Sequence, residues 1–416
     1  MSVLALQPPT RSPSFRSLSP LPWLLALGMI GVTVVAYQGF CHVPLLLDEK
    51  PHYARILAIR QGTIDQVKHA CCPHTYHHFL ALTGSIAGAH APHELRLVSL
   101  LVSLLCVPLA FAVVRKLDPE GAPLAAAQFF FLPVLLPFFF LLYTDPLGLL
   151  FALLTLLLVL HDCLWAAALA SIASVCVRQT HVVWMLFAFL LPYVRKHGWR
   201  LERDAVVEHL RRGWLFLLGF AGFTVFVVLN KGVSLGDRQA HPTFEFRPGN
   251  VFFALFVVFV VFLPLHVANL PRIVELVRRR PWWLLVVAGA LLLFLFGTHF
   301  DHPYNQWDRL LRNKILRYVG SNALYGAIFF GTVALALLSL AATQLKEASF
   351  FLLYPMAILH LAPSWLIDPR YSIPALAMFV LCRARSSWLV EGANLAWSAL
   401  LSLFILDGTI RQAFFL

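Results

Sequence analysis

Long apolar runs separated by short polar stretches fill the chain from one end to the other. In order they fall near 21–40, 95–114, 122–142, 146–161, 164–177, 182–194, 214–230, 250–269, 282–298, 319–341, 349–366, 371–382 and 388–406. Most approach the ~20 residues that a helix needs to cross about 30 Å of hydrocarbon, where each backbone amide and carbonyl must be paired inside the segment. The pattern predicts an all-α fold, a polytopic transmembrane helical bundle of about thirteen spans. Several runs are short or interrupted by Pro133, Pro137, Pro355 or Pro374, where helices end or kink, so adjacent short runs can merge. Residues 1–20 carry Arg11, Arg16 and repeated Ser and Pro, without the small-residue cleavage site of a signal peptide. They are expected to form a cytoplasmic tail leading into an uncleaved anchor, with residues 21–416 a single multi-span membrane domain.

Composition agrees with the pattern. The chain is 60% hydrophobic and 12% charged, against about 45–50% and 25% in soluble domains. That excludes a disordered chain, a disulfide-stapled secreted domain and an isolated nucleotide-binding domain. The net charge of +12 is scattered among loops and never forms a basic face with interleaved aromatics. It reads as charge facing membrane lipids, with no nucleic-acid partner. With the N-terminus in the cytoplasm, the dense groups Arg115/Lys116, Arg195/Lys196/Arg200/Arg203, Arg211/Arg212, Arg272/Arg278/Arg279/Arg280 and Arg383/Arg385 all fall on the cytoplasmic side.

The opposite face holds Asp48, Glu49, Asp65, Glu94, Asp145, Asp237, Glu245, Asp301, Asp308, Asp368 and Asp407 among Arg, His and Tyr, which reads as a polar site. Its longest loop, about 41–93, opens with Asp48-Glu49 directly after the first span. One reading is an N-cap for an amphipathic helix over His52–Lys68, with Ile56, Leu57, Ile64 and Val67 on the membrane surface. The other is a carboxylate at the interface that takes a proton from an attacking sugar hydroxyl. Five more loops repeat a theme: Tyr143-Thr144-Asp145, Arg178-Gln179-Thr180-His181, Gly236-Asp237-Arg238 with His241, His302-Pro303-Tyr304 with Asp308-Arg309, and Asp368-Pro369-Arg370-Tyr371. Any one of them alone is explained as a headgroup anchor or helix cap. Together, beside a carboxylate pair, they indicate a site for a phosphate and a polyol. Arginine donates to two phosphate oxygens at once, and acids and Tyr suit hydroxyls. The candidates are Asp48 and Glu49 for catalysis, and Arg370, Arg309 and Arg178 for the donor phosphate. His52, Tyr143, Asp145, Gln179, Asp237, Arg238, His241, His302, Asp308 and Tyr371 are the candidates for substrate contacts.

Cys106, Cys163, Cys176 and Cys382 lie in or beside apolar runs and are expected in the core. Cys41, Cys71 and Cys72 share the first polar loop, as one bridge or as free thiols. A zinc site from Cys71, Cys72, His74, His77 and His78 is disfavoured, because adjacent cysteines rarely satisfy one tetrahedral ion and no second Cys pair exists. No metal or cofactor is expected.

The ordered set Asp48-Glu49 with His52, Leu95-Arg96-Leu97-Val98, Tyr143-Thr144-Asp145, Arg178-Gln179-Thr180 with Trp184, Gly236-Asp237-Arg238 with His241, His302-Pro303-Tyr304 with Asp308-Arg309, and Pro369-Arg370-Tyr371 with Pro374 resembles the dolichyl-phosphoglucose-dependent alpha-1,2-glucosyltransferases of N-glycan precursor assembly. The resemblance runs from about residue 41 to 375. It departs at His74-Thr75-Tyr76-His77-His78, where the family tends to show a Thr-Pro-Pro-Gly-like turn, and around Asn305-Gln306-Trp307. It implies a GT-C fold and an inverting transfer of a hexose, glucose in the family, from a polyprenyl-phosphate donor to a lipid-linked glycan. Catalysis is then on the lumenal face of the endoplasmic reticulum, with an acid in the first lumenal loop. Of that pair the resemblance favours Asp48. A bacterial relative using an undecaprenyl-phosphate sugar on an envelope glycan or lipid, at the periplasmic face of the inner membrane, gives the same reading. The rival classes are a multi-span transporter, which places ionisable groups near the bilayer midplane, and a non-catalytic scaffold, which leaves the acid pair without a purpose. Here almost every charge sits at span ends, with His266 and His360 as exceptions.

Overall fold

The computed structural model describes residues 20–66, 72–236 and 245–416. Cys71, Asp237, Arg238 and His241 lie outside the described residues, and what the sequence implies of them stays an expectation. The described chain is helical throughout, with no β-strand. The finer count of about thirteen spans stays an expectation; length and composition mark four to six candidate spans among the described residues. Four helices are long and apolar enough to cross a membrane: Leu21–Cys41, Pro92–Leu117, Ala323–Ala342 and Trp388–Ile410. Two bent pairs, Arg203–Arg212 with Trp214–Asn230 and Gly249–Val261 with Leu263–Arg279, raise the number to six if each is one span. The remaining apolar helices are shorter, among them Thr144–Leu160, Leu164–Val177, Trp283–Gly297 and Pro369–Cys382.

The difference has a physical cause, best seen at 122–142. Its apolar run breaks into the helices Ala122–Phe130 and Leu136–Phe139 around Pro133 and Pro137. Phe129, Phe130, Phe138, Phe139 and Phe140 are all fully buried. This segment is apolar because it is the centre of the protein. By contrast Trp283–Gly297 buries no residue and Trp214–Asn230 buries only Phe216, so both present their side chains outward, as lipid-facing helices do. Cys106 and Cys382 are buried as expected, whereas Cys163 and Cys176 are exposed. Cys163 caps a helix at a turn, and Cys176 sits on the outward face of Leu164–Val177.

One buried ion pair ties the first span to the rest. The Arg96 guanidinium donates to Glu49 through Nε (2.9 Å) and Nη2 (2.5 Å). Its other hydrogens go to the carbonyls of Phe40 (2.8 Å), Val43 (2.7 Å) and Pro44 (3.0 Å), where the span ends. Glu49 accepts in addition from the amides of Leu46 and Leu142, both at 2.9 Å. Both side chains are fully buried. A second network lies beyond the far end of the helix Ile373–Cys382, where Arg383 pairs with Glu391 (2.5 Å) and both bond Gln128. That helix therefore runs between two polar clusters, with Arg370 just before its start.

Removing one partner of a buried pair leaves the other charged and unpaired, at a cost of about 3–5 kcal/mol. Arg96→Ala should therefore lower the melting temperature in detergent sharply or abolish monodisperse protein. The joint change Arg96→Met with Glu49→Leu should be milder than Arg96→Ala alone. An unchanged melting temperature for Arg96→Ala contradicts this role.

Candidate active site

After the first span the chain turns at Pro44–Asp48 and enters the helix Glu49–Gln61. Leu47 takes φ 40°, a left-handed conformation that strains a residue with a bulky side chain. The turn is held by the Glu49 amide on the Leu46 carbonyl (2.8 Å) and by the Leu46 amide on the Glu49 carboxylate. Glu49 thus accepts four hydrogen bonds on two oxygens, which fills its acceptor capacity. Asp48, one residue earlier, points the other way. Its side chain is 51% exposed and meets Arg370 at 3.0 Å. Neighbouring acids in sequence thereby receive opposite environments.

Arg370 is clamped from the other side by Asp368, which accepts from its Nη2 at 2.7 Å, its Nε at 3.0 Å and its backbone amide at 3.0 Å. Its guanidinium lies 5.0 Å from the centre of the Tyr143 ring and 5.9 Å from that of Phe138. Asn250 fixes the approach of this loop by bonding the carbonyls of Ser364 and Leu366 and the amide of Asp368. Tyr143 packs edge-on to His52 with centroids 5.8 Å apart. It is placed by its neighbour Leu142, whose amide is held by Glu49. The same carboxylate thus orders both the Asp48 turn and the Tyr143 segment.

Asp145 begins the helix Thr144–Leu160 and pairs with Arg178, which also donates to Thr144 Oγ1 at 3.4 Å. Gly148 allows this approach: a Cβ there would meet the His181 ring at 3.0 Å. A narrow pocket is lined by Asp145, Arg178, His181, His360, Arg370, Tyr371, Ile373 and Pro374. Several buried polar atoms in this region lack any partner: Tyr143 Oη, Asp145 Oδ2, Arg55 Nε, His77 Nδ1 and Trp184 Nε1. Buried polar groups are almost always bonded, so such a group of unpaired atoms marks a place where a polar ligand belongs.

The structure brings together Asp48, His52, Tyr143, Asp145, Arg178, Arg370 and Tyr371, with Gln179 buried beside Arg178 in the chain. Three expected residues lie elsewhere. Asp308 forms an exposed ion pair with Arg317, Arg309 is exposed, and His302 belongs to an aromatic group with Tyr304 and Trp365. Beside Asp368 stands Arg312 and not Arg309: it is buried, 3.5 Å from that carboxylate. Arg312 lies on the inward face of the helix Leu311–Ser321, a placement that a loop motif does not reveal. His77, which the sequence suggests only as a zinc ligand, has its Nε2 2.8 Å from His52 Nδ1. The donor atoms of His52, Cys72 and His77 lie within 4.8 Å of one another. That set would suit a soft cation, but three guanidinium groups, Arg55, Arg178 and Arg370, act on the same ring. The field of the pocket favours an anion.

The sequence signature of the DIE2/ALG10 family matches residues 72–206 and 194–381, most of the chain. The chain belongs to the DIE2/ALG10 family. It is similar to the mouse Dol-P-Glc:Glc(2)Man(9)GlcNAc(2)-PP-Dol alpha-1,2-glucosyltransferase, 25% identical over 337 residues, covering 67% of this chain and 69% of the mouse protein. The Drosophila melanogaster protein of the same name is 26% identical over 355 residues, 72% of this chain and 76% of its own. The Candida albicans one is 23% identical over 273 residues, 59% of each chain. No solved structure matches. Arg96, Tyr143, Asp145, Arg178, Asp368 and Arg370 fall within the DIE2/ALG10 match, while the Asp48 turn precedes it.

Burial, and then the charges of Arg55, Arg370 and Arg178, push His52 down to about 3. Burial and the adjacent His52 push His77 down to about 2. Both rings are neutral in the folded protein at neutral pH, but they titrate near 6.5 when unfolded. Between those values the unfolded chain binds more protons, so stability present above about pH 6.5 is lost as the pH falls toward 3. Melting temperature should drop from pH 7.5 to 5.5, and a His52→Asn/His77→Asn double variant should drop less. Equal pH slopes for the two proteins contradict the buried, neutral pair.

Proposed function

We propose that this protein is an integral membrane glucosyltransferase. It moves glucose from dolichyl-phosphate glucose to a lipid-linked oligosaccharide, forming an alpha-1,2 bond at the lumenal face of the endoplasmic reticulum. Family membership and the printed activity of the relatives support the substrates. The observation that carries the chemistry is the split between Asp48, accessible and beside Arg370, and Glu49, buried and saturated. The GT-C architecture fits the helical bundle, in which Asp48, Asp145, Arg178 and Arg370 gather.

In this reading Asp48 is the general base. An acceptor hydroxyl oxygen attacks C1 of a beta-linked glucose and its proton passes to Asp48. The C1–O bond to phosphate breaks, and its electron pair leaves on the polyprenyl phosphate, so the anomeric centre inverts. Arg370, held by Asp368, orients Asp48. Arg178 is the phosphate contact, and Asp145, Tyr143 and Tyr371 meet the sugar hydroxyls. Glu49 takes the structural part. Planar, bidentate donors suit the departing phosphate, which carries growing negative charge in a site with little water. A lipid donor agrees with the absence, among the described residues, of any soluble domain that would bind a nucleotide sugar.

The test is transfer by purified protein from dolichyl-phosphate glucose, dolichyl-phosphate mannose, undecaprenyl-phosphate glucose and UDP-glucose, each with a glucosylated lipid-linked oligosaccharide. The expected result is product from dolichyl-phosphate glucose and none from UDP-glucose. Transfer from UDP-glucose alone overturns the reading. Transfer from undecaprenyl donors alone keeps the mechanism and moves the protein to a bacterial inner membrane.

A further inference from the structure

The helix Glu49–Gln61 carries three polar residues on one face, Asp48 at its start, His52 one turn on and Arg55 nearly one turn beyond. Spacings of four and three residues stack side chains along a single stripe. Asp48 and His52 both reach the site, through Arg370 and Tyr143 respectively. Arg55 continues the same stripe about 10 Å along the axis, at 1.5 Å per residue.

Arg55 is 3% exposed. Its Nε is buried without a partner, and among the described residues no carboxylate, carbonyl or hydroxyl pairs with the side chain. Every other buried arginine around the site has its acid: Arg96 has Glu49, Arg178 has Asp145, and Arg312 and Arg370 share Asp368. Of the four guanidinium groups Arg55, Arg178, Arg312 and Arg370, the last three pair with Asp145 or Asp368, Arg312 also bonding the Leu416 carbonyl at 2.6 Å, and Arg55 alone has no acid among the described residues. The excess positive charge is that of Arg55. Burying a lone guanidinium is expensive, and it persists where a ligand supplies the counter-charge. The neighbouring His52 and His77 rings bond each other and are neutral, so they do not supply it.

We propose that Arg55 is a phosphate-binding residue, which receives the anionic phosphate of the polyprenyl-linked donor and holds it as the leaving group. This rests on the glucosyl transfer proposed above and refines it. In an inverting displacement the base and the leaving group stand on opposite sides of the reacting carbon. Arg370 is committed to the base side by its contact with Asp48. Arg55 stands at the other end of the stripe, beyond His52, with its Nε unpartnered and no contact to Asp48, so it is free to take the departing phosphate.

The experiment uses full-length protein in detergent, with dodecyl phosphate and dolichyl phosphate as probes and dodecyl maltoside as the uncharged control. Wild type should be thermally stabilised by both phosphates. Arg55→Gln should need at least ~10-fold more phosphate for the same stabilisation, as befits loss of one charged donor. Arg55→Lys should recover part of it, since charge is kept but the fork is lost. Without ligand, Arg55→Gln should melt no lower than wild type, because an uncompensated buried charge has been removed. Unchanged phosphate affinity in Arg55→Gln, or a lowered ligand-free melting temperature, overturns the proposal and makes Arg55 structural. Binding is read without turnover. Phosphate binding through Arg55 with no glucose transfer by wild type would therefore sink the glucosyl reading alone. Glucose transfer with an unchanged donor KM in Arg55→Gln would sink this inference alone.

Discussion

The Glu49–Arg96 pair is the interaction on which the rest of the site depends. A carboxylate and a guanidinium removed from water are tolerable only when every lone pair and hydrogen is used. Here all five guanidinium hydrogens and all four carboxylate positions are taken. What they are used on matters as much as their number. Arg96 collects the last carbonyls of the first span, and Glu49 collects the amides of Leu46 and Leu142. Two segments nearly a hundred residues apart are thereby fixed to one point, and each presents a site residue immediately beside it, Asp48 on one side and Tyr143 on the other. The strain at Leu47 is sustained by the same contacts.

From that point the electrostatics of the cleft follow. Asp368 holds Arg370, Arg370 meets Asp48, and Asp145 holds Arg178, so each charged side chain is aimed by a partner that the fold supplies. The histidines between them are kept neutral by burial and by the guanidinium charges. A pocket with neutral rings, unpaired polar atoms and surplus positive charge is prepared for a neutral polyol joined to an anion.

Much of this was legible in the sequence, and the failures have identifiable causes. The acid pair after the first span, and the loops carrying Tyr143, Asp145, Arg178 and Arg370, stand out because charged residues are rare in so apolar a chain. Which of two adjacent acids would be buried is not written in the motif, since it depends on Arg96 arriving from a helix some forty residues later. Arg309 stands out in the sequence because it sits in a loop motif, whereas the inward placement of Arg312 on Leu311–Ser321 is known only once that helix is packed. The run 122–142 was read as a span because hydropathy does not separate a lipid-facing surface from a protein interior. Arg55 belongs to no motif in the sequence, and only its burial without an acid singles it out.

The central claim is that Asp48 acts chemically while its neighbour only holds the frame. Its most direct test is the turnover of Asp48→Asn with dolichyl-phosphate glucose and a lipid-linked oligosaccharide, measured beside the binding of dolichyl phosphate and the melting temperature of the same preparation. The account predicts a loss of turnover of about 100-fold or more with folding and phosphate binding kept. A variant that turns over near the wild-type rate contradicts it.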